Sequence, residues 1–133
     1  RRVHGWVFSA LLVAPVIAAC SERERITSPD PGDGFGPVVT ITEPESDTTV
    51  TAGPGVFVAG HVLDNDGVDT LYIEVVNGNQ SFNPLTFDKD SVRFDLPIST
   101  SSMASGDSMI VVLFGVDAAG TRGAPAERRL FIK

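Results

Sequence analysis

From residue 37 onward, apolar and polar positions alternate in short runs with a period of two, and no stretch holds a helical period over three turns. The runs are rich in β-branched and aromatic residues, and clusters of Gly, Asn, Asp and Pro interrupt them at intervals of about ten residues. The pattern predicts strands at VVTIT (38–42, continued by TTVT at 48–51), VFVAGHVL (56–63), TLYIEVV (70–76), SFNPLTF (81–87), VRFDLPI (92–98), MIVVLFGV (109–116) and RRLFIK (128–133). Val56, Val58, Gly60 and Val62 share one face of the second strand; Leu71, Ile73 and Val75 share one face of the third, with Tyr72, Glu74 and Val76 on the other. Pro84 marks its run as an edge, because proline cannot donate to a ladder on both sides. The 109–116 run is apolar on both faces, as a central strand is. Seven strands in 97 residues make one all-β domain, a sandwich or a barrel.

The pattern ahead of this domain is different. Arg1 and Arg2 precede an uncharged, mostly apolar run at 6–19, which ends in Ala18, Ala19 and Cys20. A membrane-spanning helix needs roughly 20 apolar residues, so a run of 14 reads instead as the hydrophobic region of a secretory signal, a signal helix at 1–19. The segment IAAC, 17–20, resembles the lipobox of bacterial lipoproteins. That resemblance implies cleavage before Cys20 and a diacylglycerol on its sulfur. Each buried CH₂ contributes about 0.8 kcal/mol, so two or three acyl chains hold a domain at a membrane. Residues 20–36 then form the lipidated cysteine and a tether, disordered because Pro29, Pro31, Gly32, Gly34 and Gly36 interrupt a charged segment.

As the only cysteine, Cys20 cannot form an intramolecular disulfide, and without a His or Cys cluster it cannot build a zinc site. All 17 acidic residues follow it, against eight basic ones, so the processed chain carries a formal charge of −9. No basic stripe is available to neutralise phosphates, which excludes nucleic acid as a partner and leaves the lipid as the link to the membrane.

PVVTITEP, VFVAGHVLDNDGVDTLYIEV and GVDAAGTRG, the last with its D-x-A-G turn, resemble bacterial immunoglobulin-like domains. The resemblance covers nearly all of 37–133 and implies a seven-stranded antiparallel Greek-key sandwich. The same pattern places Val111, Leu113 and Gly115 inward, in step with Asp117. Ile110, Val112, Phe114 and Val116 then point outward, joined by Tyr72, Val76 and Phe131, with Glu74 and Arg129 at the rim. That apolar group is the expected interaction face.

Chemistry is sparse. DNDGVD (64–69) offers Asp64, Asp66 and Asp69, with Asp117 from another loop, as hard oxygen ligands for calcium. Its spacing is not that of an EF-hand, and the expectation is a turn without metal. His4 lies in the leader, and His61 lies mid-strand with no nucleophile marked beside it. The serine-rich 99–108 lacks a nucleophile-elbow context, so no catalytic residue, metal or cofactor is assigned. Two functions remain. One is a lipid-anchored cell-envelope protein with a non-catalytic interaction or structural domain, contacting an envelope protein or polysaccharide. The other is an envelope-attached carbohydrate- or calcium-binding module, the carbohydrate form being disfavoured by one Tyr and no Trp after Cys20. The lipoprotein resemblance places the domain outside the cytoplasm, at the outer membrane in a Gram-negative cell, since Ser21 rather than Asp follows Cys20.

Overall fold

The structure is a computed structural model that describes residues 34–133; the expected signal helix at 1–19, Cys20 and the tether up to residue 33 lie outside the described residues. The described residues form six strands: β1 (Val38–Glu43), β2 (Thr48–Val50), β3 (Val56–Val76), β4 (Leu85–Ile98), β5 (Ser108–Asp117) and β6 (Ala126–Ile132). They form one hydrogen-bonded network in the order β1-β3-β5-β6-β2, with β4 also on β3.

The network folds into two layers because β3 belongs to both. Its first half pairs with β1, Val38 opposite Leu63, and with β4, Val58 opposite Leu96. Its second half pairs with β5, Ile73 opposite Leu113, and with the start of β4, Leu71 opposite Leu85. β5 carries β6, which pairs in parallel with β2. The core fills the space between the layers. Val39, Ile41, Val58, Val62, Phe94 and Leu96 come from one side, and Leu71, Ile73, Met109, Val111, Leu113 and Leu130 from the other.

Three expectations about the strands are corrected. The separate strands expected at 56–63 and 70–76 are halves of one continuous strand, and those at 81–87 and 92–98 merge into β4, which starts only after Pro84. The mergers leave five of the seven expected strands, and 48–51, expected as a continuation of the first, adds a sixth as a strand of its own, β2 on β6. The mergers occur because β4 follows β3 round its bend and keeps pairing on both sides of it. Between Leu63↔Ser91 and Val68↔Lys89, β3 carries four residues where β4 carries one. The sandwich is also not wholly antiparallel, since β2 runs parallel to β6.

Parity survives these extra residues, since Val58, Val62 and Asp64 before them and Val68 after them all face inward. It inverts at a second register slip, between Val68 and Thr70, beyond which Leu71 and Ile73 face inward. The excess backbone is taken up at Gly67, whose φ of 91° is a conformation that side chains disfavour. At the same end of the sandwich the chain entering β1 packs on the turn after β5. A Cβ on Gly115 would lie 2.6 Å from the Pro37 side chain, and Gly123 N–H donates to the Gly115 carbonyl at 2.9 Å.

The opposite end is closed by Thr100, which is fully buried. Its hydroxyl accepts from Gly53 N–H at 3.1 Å and Gly55 N–H at 3.0 Å, and donates to the Thr51 carbonyl at 3.3 Å. Thr100→Val keeps the shape and orphans those donors. The expected loss is about 2 kcal/mol, or roughly 10 °C in Tm for a domain of this size, read as a lower urea midpoint with an unchanged slope.

Candidate functional site

Alternation along β5 decides the first candidate site. Met109, Val111, Leu113, Gly115 and Asp117 are buried, so Ile110, Val112, Phe114 and Val116 project from the outer side of the second layer, where each is half-buried. Register sets their neighbours. Tyr72 lies opposite Phe114, Glu74 opposite Val112 and Val76 opposite Ile110 on β3. On β6, Arg129 lies opposite Ile110, Glu127 opposite Val112 and Phe131 opposite Ser108. Tyr72 is 38% exposed and Phe131 43%. The residues singled out from the sequence, Tyr72, Val76, Val112, Phe114 and Phe131, therefore lie on one outward face, with Glu74 and Arg129 among them.

Phe114 is less available than its parity alone implies. Its ring stacks on Tyr72 with centroids 4.9 Å apart and planes 11° from parallel, and the Arg122 guanidinium carbon sits 3.7 Å from its centroid. Two groups that close cannot share one side of the ring, so Phe114 is the middle member of a three-part stack. Such contacts contribute about 0.5–1.5 kcal/mol for the aromatic pair and about 0.5–1 kcal/mol for the cation at an exposed site. Arg122 has no part in the face read from the sequence. It reaches Phe114 because the turn after Asp117 brings it back opposite Val116. Beside the face a concavity of about 530 Å³ opens between Ser46, Asp47, Ile110, Glu127, Arg128 and Arg129. The Asp47 carboxylate accepts from Arg129 N–H at 2.9 Å and fixes one wall. Arg128 reaches between the layers, donating from Nη2 to the Ile41 carbonyl at 3.0 Å.

The acidic corner is the second candidate. Carboxylate oxygens of Asp64, Asp66 and Asp117 lie within 4.8 Å of one another, Asp64 and Asp117 being buried. Two of the three hold backbone. Asp64 Oδ1 accepts from Asp66 N–H at 2.8 Å, and Asp117 Oδ1 accepts from Thr121 N–H at 2.7 Å. Asp69 is not in the group and accepts instead from the Thr70 hydroxyl at 2.8 Å. The segment is a corner within β3 rather than a loop between two strands. Grouped carboxylates of this kind are hard donors suited to calcium. His61 lies on the outer side of the first layer, opposite Thr40 on β1 and Arg93 on β4, and the serine-rich segment supplies Thr100 as a structural hub.

Because both buried aspartates already serve backbone donors, the corner is expected to form without metal. Tm in millimolar calcium should match Tm in chelator within about 2 °C. Saturation at 100 times the dissociation constant would add about 2.7 kcal/mol, a rise of roughly 10 °C or more, and a shift of that size assigns the corner to calcium.

Comparison with known proteins follows the fold. The fibronectin(III)-like modules of Clostridium thermocellum CbhA are similar, with 14% identity, a TM-score of 0.51, and coverage of 74% of this chain and 47% of theirs. The SrpA adhesin of Streptococcus sanguinis is similar at 18% identity and a TM-score of 0.47, covering 76% of this chain and 57% of its own. This chain thus spans about half the length of those solved chains. No curated protein sequence matches it. The profile of the bacterial Ig domain matches residues 37–112, from the entry to β1 to the middle of β5, and the chain belongs to that family.

Proposed function

We propose that this chain is a lipid-anchored cell-envelope protein whose Ig domain is a non-catalytic contact module, held outside the cytoplasm through Cys20 and binding an envelope protein through the outer face of its second layer. The supporting observation is the row of Tyr72, Val76, Ile110, Val112, Phe114 and Phe131 on one side of three neighbouring strands. Apolar groups gathered on one sheet face are where contact surfaces lie, and the carboxylates and guanidinium of Glu74, Glu127 and Arg129 supply a rim that selects a partner by charge. The Tyr72–Phe114–Arg122 stack holds its members in place before binding, so little side-chain entropy is lost on contact. The anchor is supported by the basic start, the short apolar run and IAAC.

A second reading, a calcium-binding envelope module, is favoured by the convergence of Asp64, Asp66 and Asp117 from two segments distant in sequence. The melting comparison in calcium and chelator separates the two.

Phe131 and Tyr72 are the residues to change, because both are more exposed than Phe114, which holds two partners as the middle of the stack. Phe131→Ser should change folding stability by less than about 0.5 kcal/mol, and Tyr72→Ser by about the 0.5–1.5 kcal/mol of its aromatic pair, both domains staying folded. A photo-crosslinker at Val112 in intact cells should yield one discrete adduct in the parent chain and little in either variant, and the same reagent at Ser91 on the other layer should yield none. Equal adducts from both layers would remove the interaction face.

Lipidation has its own test. Cys20→Ser should abolish labelling by a fatty-acid analogue and leave the leader attached, whereas labelling equal to the parent would remove the anchor.

A further inference from the structure

Where the chain enters the sandwich, three apolar side chains stand in solvent. Phe35 is 74% exposed, Val38 62% and Leu63 46%. Val38 and Leu63 are register partners on β1 and β3, and Phe35 joins them around a concavity of about 210 Å³ edged by Asp64 and Asn65. Farther along the outer side of this layer the cross-strand trios turn polar, as with Thr40, His61 and Arg93. Phe57, the other strongly exposed aromatic of the layer, lies six residues back along β3, about 20 Å away at 3.3 Å per residue.

The position of the chain outside the structure identifies the occupant. Phe35 follows Cys20 by 15 residues, a contour of at most about 54 Å, and among the exposed large apolar side chains described it is the nearest to Cys20 along the chain. We propose that Phe35, Val38 and Leu63 rest in the headgroup region of the bilayer that holds the lipid on Cys20, and so fix which way the domain faces. The inference rests on the reading of Cys20 as the anchor. A tethered contact works at an effective concentration near millimolar, so a patch too weak to recruit a free domain is enough to orient an anchored one. Asp64, which edges the concavity, and Asp66 and Asp117, which share its corner, set the lipid class. Their carboxylates attract the ammonium groups of phosphatidylethanolamine and are repelled by anionic headgroups.

The only tryptophan, Trp6, precedes Cys20, so the processed chain carries none and a single introduced indole reports alone. The acylated, processed chain is placed in phosphatidylethanolamine–phosphatidylcholine vesicles with brominated acyl chains. Phe35→Trp should be quenched and blue-shifted, Val38→Trp likewise, and Phe57→Trp unchanged. Adding Leu63→Ser to Phe35→Trp should reduce the quenching. Flotation with the vesicles but no quenching at positions 35 and 38 overturns the docking and leaves the anchor standing. Failure to float overturns both. A blue shift that follows protein concentration rather than vesicle concentration makes a second copy the occupant and overturns the proposal.

Discussion

The fold turns on the bend in β3. A strand has two faces that alternate strictly, so a strand serving both layers of a sandwich must exchange its faces where it passes from one to the other. The register slip between Val68 and Thr70, present against both β4 and β5, makes that exchange, which is why Val62 and Leu71, nine residues apart and of opposite parity, both meet the core. Without it, either Val58 and Val62 or Leu71 and Ile73 would face water, and each buried aliphatic side chain exposed costs about 1.5–3 kcal/mol. Asp64 serves the bend directly. Its carboxylate takes the N–H of Asp66, a donor the ladder leaves over when the register slips.

The same end of the sandwich gathers several features around that bend. Pro37 packs on Gly115, the Asp117 turn bonds to Thr121, and the acidic side chains of the two segments meet. Asp117 thus has two roles that need one geometry: it closes the turn after β5 and borders the β3 corner. The turn then returns Arg122 over the Phe114 ring. The backbone hydrogen bonds that seal the domain at this end and the stack on its outer face are consequently parts of one local structure, and a change at Asp117 would reach both.

Charge and apolar surface are distributed differently on the two layers. The outer side of the second layer carries a continuous apolar row bordered by charges, with its central residue held by aromatic and cation contacts. The outer side of the first layer is polar along most of its length and apolar near the point where the chain enters. The two surfaces differ in composition and in their distance from the point where the chain enters the domain.

Much of this was legible in the sequence. The period-two runs fell on strands, although 48–51 reads as a continuation of the first and 64–69 as a turn. The family pattern at Asp117, counted back along MIVVLFGV, separated Val111 and Leu113 from Val112 and Phe114, because side-chain direction in a strand alternates strictly. Bacterial Ig membership was written in PVVTITEP and DNDGVD, whose turn residues are demanded by backbone geometry. Three things were decided only by tertiary structure. Whether 56–63 and 70–76 are one strand or two depends on β4, a partner distant in sequence that pairs on both sides of the bend. The meeting of Asp64, Asp66 and Asp117 without Asp69 depends on which side of that bend each carboxylate leaves the backbone. The place of Arg122 on Phe114 depends on how tightly the turn after Asp117 closes. A strand's own pattern fixes which of its faces is apolar, and only the pairing of strands far apart in the chain fixes what those faces meet.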